Sequence, residues 1–88
     1  MTLNKKEVSE KVGRKIRELR LLKGLTIDHV AFESDMEYVQ LSRIERGVIN
    51  TSIYQVYKIS QALSEPLPVI FQSFTDDNNG DQQPFKRG

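Results

Sequence analysis

Apolar side chains recur at helical spacing along most of this chain. Val8, Val12, Ile16, Leu19 and Leu22 share one face of a 3.6-residue period. Asn4-x-x-Glu7 ahead of them has the form of a capping box, and Gly24 behind them is a natural stop. The spacing predicts one long amphipathic helix over about residues 5–23. Thr26 can cap a second helix over residues 27–34, with Ile27, Val30 and Ala31 inward and Phe32 at the edge of that face. His29 stands where a Glu or Gln would complete its capping box. A break at Asp35 and Met36 precedes a third helix over 38–46, with Leu41 and Ile44 inward and Gly47 at its end. Ser52-x-x-Gln55 reads as another capping box, opening a helix over 53–63 whose core positions are Ile53, Val56, Ile59, Ala62 and Leu63. Pro66 disfavours helical geometry at Glu65 and ends it. Pro68 suits the N1 position of a last short helix over 69–74. From residue 75 onward the sequence TDDNNGDQQPFKRG is polar and rich in Gly, Asp, Asn and Gln, the composition of a disordered tail. No segment reads as a strand. The expected fold is an all-α five-helix bundle forming one domain over residues 1–74, with residues 75–88 as its tail.

Composition narrows the chemistry. The 88 residues include no cysteine and one histidine. That excludes a disulfide framework, a thiolate metal site and a cysteine nucleophile, and His29 has no companions spaced as metal ligands. No Gly-rich phosphate loop follows a strand, and no paired carboxylates mark a pocket, so neither an enzyme nor a bound cofactor or metal is expected. The acidic run around Asp76, Asp77 and Asp81 lacks the spacing and closing Glu of a calcium loop. No apolar run approaches the roughly 20 residues of a membrane span, and the N-terminus lacks an apolar signal segment. Net charge is +1, unevenly spread. Residues 1–24 carry eight basic and three acidic side chains, a net of +5, whereas residues 25–47 carry two basic and five acidic, a net of −3. A basic end is an electrostatic footprint for nucleic acid, although a solvated helix face has the same composition.

Two stretches carry a family resemblance. Gly13-Arg14-Lys15-Ile16-Arg17-Glu18-Leu19-Arg20 runs on to Lys23-Gly24-Leu25-Thr26, and Leu41-Ser42-Arg43-Ile44-Glu45-Arg46-Gly47 follows. With Tyr57-Lys58-Ile59-Ser60-Gln61-Ala62-Leu63, they closely resemble the Xre/phage-repressor helix-turn-helix family over about residues 8–74. The resemblance implies a lambda-repressor-like domain of five helices, the second and third forming the helix-turn-helix and the third lying in the DNA major groove. It implies a sequence-specific transcriptional regulator in a bacterial or phage setting. Such a protein works in the cytoplasm on double-stranded DNA, as a homodimer on a near-palindromic operator.

The resemblance places Tyr38, Val39, Gln40 and Arg43 on the outward face of the third helix. Arg43 is suited to bond guanine O6 and N7 together, Gln40 to pair with adenine, and Val39 to touch a thymine methyl. Tyr38 suits a phosphate or the sugar backbone. Arg14, Arg17, Ser42 and Thr26 are expected as phosphate contacts, with Ser52 as a further anchor; such contacts position without reading sequence. For Thr26 and Ser52, simple capping explains the residue equally well. Glu37 is expected to cap the third helix and complement its dipole, and its charge would repel phosphate and so tune specificity. Arg20 and Glu45 match a structural ion pair of related repressors. Leu67, Ile70, Phe71 and Phe74 are expected at a dimer interface while also covering the core.

The chain departs from the family pattern at three places. Ile27 stands where a phosphate-binding glutamine usually begins the second helix. Asp35 stands where the turn usually has glycine. Val48 and Ile49 follow Gly47 where Lys or Arg is usual. These departures and the acidic middle motivate a second reading, an interaction module on the same fold with weakened DNA reading. Arg43 with Gln40 favours the regulator.

Overall fold

The computed structural model describes residues 2–77, which form six helices: α1 (Lys5–Leu22), α2 (Ile27–Glu33), α3 (Tyr38–Glu45), α4 (Ile53–Ala62), α5 (Leu67–Ile70) and α6 (Gln72–Asp77). No strand occurs among the described residues. The first four helices follow the apolar periodicity. The final segment differs: in place of one helix over 69–74 the chain makes two short turns. Phe71 donates its N–H to the Pro68 carbonyl and Phe74 to that of Phe71, tight bonds that reset the helix at Phe71. Residues 75–77 of the expected tail belong to α6, and residues 78–88 lie outside the described residues.

Local chemistry sets the boundaries. At α1, Asn4 Oδ1 accepts the Glu7 N–H at 2.8 Å and Glu7 Oε1 accepts the Asn4 N–H at 2.9 Å, the full reciprocal box. Thr26 Oγ1 accepts the His29 N–H at 3.0 Å and Ser52 Oγ the Gln55 N–H at 3.1 Å. The second box is only half made: the Gln55 side chain does not return to Ser52, and its Oε1 is buried without a partner. Four helices close through a left-handed residue, at Gly24, Asp35, Gly47 and Ser64. The Leu25 N–H then reaches the Arg20 carbonyl, Met36 that of Ala31, and Glu65 that of Ser60.

The core gathers Val12, Ile16, Leu19, Val30, Ala31, Leu41, Ile44, Val56, Ile59, Leu63 and Ile70. Each large aliphatic side chain taken fully out of water contributes about 1.5–3 kcal/mol. α1 packs against α3, α5 and α6, α2 against α3 and α4, and α4 against α5. Several expected core positions face solvent. Phe32 is 81% exposed, because it lies about 100° around α2 from Ala31 and about 200° from Val30. Leu22 and Ile53 sit in terminal turns and are exposed, and Val8 is marginally so. Ile70, expected at an interface, is fully buried.

α1 and α3 approach closely. At Gly13 a methyl group would overlap the main-chain carbonyls of Ile44 and Glu45. About two turns further along α1, Arg20 crosses to the end of α3. Its Nε donates to Glu45 Oε2 at 2.7 Å and its Nη2 to Glu45 Oε1 at 3.0 Å, while Nη1 donates to the Leu25 carbonyl at 2.9 Å. Both side chains are buried, so each charge depends on the other.

Two outcomes follow. Gly13→Ala lowers stability by about 1–3 kcal/mol through overpacking, despite the better helix propensity of alanine. Glu45→Ala costs about 3–5 kcal/mol because it strands a buried guanidinium, whereas the joint replacement Arg20→Met with Glu45→Leu recovers most of that loss. Thermal melts followed by circular dichroism measure both. An unchanged melting temperature for Glu45→Ala would remove the pair from any structural role.

Candidate nucleic-acid interface

α3 owes its orientation to what it buries. Leu41, Ile44 and Glu45 point inward. With about 100° per residue, positions 39, 43 and 46 then face away from the core and position 42 lies at the edge of that face, while Tyr38 is exposed because it opens the first turn of the helix. Tyr38 and Val39 are 51% and 52% exposed, Arg43 and Arg46 are exposed, and Ser42 is half-buried. The stripe therefore has tyrosine and valine at its N-terminal end and two arginines toward its C-terminal end. An α-helix is about 10–12 Å across, and the major groove of B-DNA is about 12 Å wide.

The turn before α3 sets the angle at which this stripe is presented. Asp35 adopts φ +56°, the left-handed conformation that glycine reaches without strain. Glu37 takes the N-cap position of α3 with extended backbone, but its side chain makes no cap hydrogen bond, contrary to expectation. Gln40 is half-buried, in a recess with Phe32, Asp35, Met36 and Glu37, off the centre of the stripe.

A second recess opens beside the C-terminal half of α3. Arg17, Ile27, Ser42 and Arg46 line it, and the Arg20–Glu45 pair forms its floor. Ser42 is thus brought together with Arg17. Arg14 is exposed on α1, one turn before Arg17. Thr26 is also exposed, with its Oγ1 engaged in capping α2. Arg46 was not singled out in the sequence. It lies at the helix–turn boundary, where its side chain reads as a simple C-terminal charge, but the i, i+4 relation to Ser42 was the available signal.

The C-terminal aromatic residues are half-covered. Leu67, Phe71 and Phe74 pack against the core, and the Phe71 and Phe74 rings meet at 6.2 Å. Lys11 Nζ lies 5.8 Å from the centre of the Phe74 ring. More apolar surface is open on α4, where Ile53 is 74% and Tyr54 66% exposed. The Tyr54 and Tyr57 rings stack at 6.5 Å, with Lys58 Nζ 5.1 Å from the centre of the Tyr54 ring. Ile53 and Phe71 border one shallow apolar groove together with Val8 and Ile49. The two tyrosines at i, i+3 outside the buried stripe were the sequence signal for this surface. Among the described residues no group of acidic or histidine side chains is arranged to hold a metal ion.

Comparison with known proteins agrees with the geometry. The helix-turn-helix family model HTH_3 matches residues 16–70. The chain is 38% identical over 72 residues to the control protein C.BamHI of Bacillus amyloliquefaciens, covering 81% of this chain and 88% of that protein. It is 40% identical over 65 residues to the HTH-type transcriptional regulator SlrR of Bacillus subtilis, covering 73% of this chain and 43% of the longer regulator. Among solved structures, the restriction-modification controller protein C.AhdI of Aeromonas hydrophila superposes with a TM-score of 0.72 at 32% identity, over 74% of this chain and 98% of the controller.

The conformation at residue 35 makes a prediction. Asp35→Val places a β-branched side chain at positive φ and lowers stability by about 1–2 kcal/mol, whereas Asp35→Gly keeps or raises it. Denaturant titration of the two variants beside wild type distinguishes them. Equal stability of the valine variant would show that the turn relaxes to another conformation.

Proposed function

This chain belongs to the HTH_3 helix-turn-helix family of DNA-binding transcriptional regulators, and we propose that it inserts α3 into the major groove of a near-palindromic operator as a homodimer. The observation that carries this reading is the outward stripe Val39, Arg43 and Arg46, flanked by the exposed Tyr38 and half-buried Ser42, on a helix whose opposite face is locked into the core. Arg43 bonds a guanine through O6 and N7, and Val39 meets a thymine methyl. Gln40 pairs with an adenine near the end of the helix, and Tyr38 contacts the sugar–phosphate backbone.

Phosphate contacts fix the register of these readers. Arg17, Ser42 and Arg46 share the recess beside α3, where they bind one strand's backbone in place of the glutamine that Ile27 lacks. Arg14 and Thr26 contribute more weakly from neighbouring turns. A regulator of this kind works in the cytoplasm, where its DNA is; no helix among the described residues is long and apolar enough to cross a membrane.

A single α3 of eight residues extends about 12 Å and meets only a few base pairs. Two copies bound one duplex turn apart, about 34 Å, multiply that limited reading. The surface for pairing is the exposed apolar area of Ile53, Tyr54 and Tyr57, continued by the uncovered parts of Leu67, Phe71 and Phe74. Ile70 has no share in it, being fully buried.

Selection from a pool of random duplexes tests the reading. Wild type enriches a two-fold symmetric site. Arg43→Ala loses about 1–3 kcal/mol on that site and relaxes its guanine position. Arg46→Ala weakens binding to all sequences alike and lowers the salt slope by about 0.9. No enrichment at low salt would replace the regulator with the interaction module. In sedimentation, wild type at tens of micromolar runs as a dimer that Ile53→Glu dissociates; a wild-type monomer contradicts the pairing.

A further inference from the structure

We propose that Glu37 reads a cytosine in the major groove by accepting a hydrogen bond from its N4 amine. The inference rests on α3 entering the groove and assigns a base identity at the N-terminal end of that helix. Glu37 immediately precedes Tyr38, is exposed, and holds the extended backbone of an N-cap. Its carboxylate nevertheless caps nothing, and no ion pair among the described residues engages it. Capping alone therefore does not account for a glutamate here, since short side chains such as Ser, Thr, Asp and Asn perform that task better.

An anion at the leading end of a groove-binding helix is repelled by the phosphates on either side. Its favourable position is over the base edges, where it can find a donor. A carboxylate only accepts hydrogen bonds. Guanine presents two acceptors, O6 and N7, and thymine presents O4 beside its methyl group. Adenine offers an N6 amine, but its N7 acceptor faces the second carboxylate oxygen. Cytosine alone offers an amine with no acceptor beside it on the same base. The neighbouring Asp35 and Glu33 are also exposed, so no cation from this turn neutralises Glu37. Its charge acts on whatever lies ahead of α3. Arg43 stands six positions further on, about 9 Å along the helix axis. That exceeds one base-pair step of about 3.4 Å, so the two side chains address different base pairs.

The same random-duplex selection, run with wild type, Glu37→Gln and Arg43→Ala and followed by equilibrium binding to the selected site, tests this. Wild type selects cytosine at one position of each half-site. Glu37→Gln loses that preference, by roughly 5- to 150-fold between cytosine and the other bases, and shifts it toward adenine, which an amide pairs through N6 and N7. Its melting temperature is unchanged, and the guanine position sensitive to Arg43→Ala is retained. Three results overturn the proposal: a wild-type site without such a cytosine, a Glu37→Gln site that keeps it, or a Glu37→Gln protein that binds every sequence more tightly with unaltered base preferences. If wild type enriches no sequence, DNA reading by α3 fails and the cytosine contact falls with it. Enrichment with an unmoved cytosine refutes the contact alone.

Discussion

The buried contact between Arg20 and Glu45 joins three parts of the chain that share no local sequence. The guanidinium spends two donors on the carboxylate at the end of α3 and a third on the Leu25 carbonyl in the turn before α2. A fork of planar donors meets both geometries at once, which a lysine would not do. Once Glu45 points inward beside Ile44 and Leu41, the helical period leaves one choice for the remaining face. Val39, Arg43 and Arg46 are thereby turned to solvent, with Ser42 at the edge of that face and Tyr38 exposed at the helix start. Gly13 supports the same arrangement by letting the α3 main chain approach α1 where any larger residue would collide. The exposed face of α3 is thus a consequence of what lies behind it, and its orientation depends on a charged pair that is costly to break.

Charge is divided between these two sides. The basic excess sits along α1 and reaches the recess through Arg17, while the helix-turn-helix itself is acidic apart from Arg43 and Arg46. On the proposed reading, attraction to the DNA backbone is concentrated near the C-terminal half of α3. The acidic residues Asp35 and Glu37 flank its N-terminal end, where on the proposed reading they weaken indiscriminate binding and leave base edges as the favourable partners. On that reading such a distribution trades affinity per subunit for discrimination, and the proposed second subunit restores the affinity.

Much of the fold was legible because each early boundary has a local cause. Asn4 with Glu7, Thr26, Ser52 and the glycines at 24 and 47 mark ends that the structure retains within a residue or so. The left-handed turn at Asp35 was also legible, since Asp is among the few residues that tolerate it. What sequence could not supply was tertiary. Nothing in the pattern distinguishes a covered apolar residue from one at a helix end, so Leu22 and Ile53 read as core and are exposed. Phe32 followed hydrophobicity rather than helical angle. The requirement for glycine at position 13 depends on a partner helix about thirty residues away. The split of the last segment depends on short-range hydrogen bonds around Pro68 and Phe71, which a continuous apolar run conceals. At the candidate interface, residue types singled out the candidate readers on α3, whereas grouping Arg46 with Arg17 and Ser42 required their positions in space.

Nuclear magnetic resonance shows whether the exposed face of α3, with the recess beside it, is the surface that meets DNA. Backbone amide signals of the full chain are followed while an operator duplex is added at low salt. The largest shifts are expected on residues 37–43 and on Arg46 and Arg17 around the recess, with the Arg20 and Glu45 signals keeping the dispersion of a buried, ordered site. Shifts confined to the Tyr54–Tyr57 face of α4, or absent throughout, would contradict DNA contact through α3.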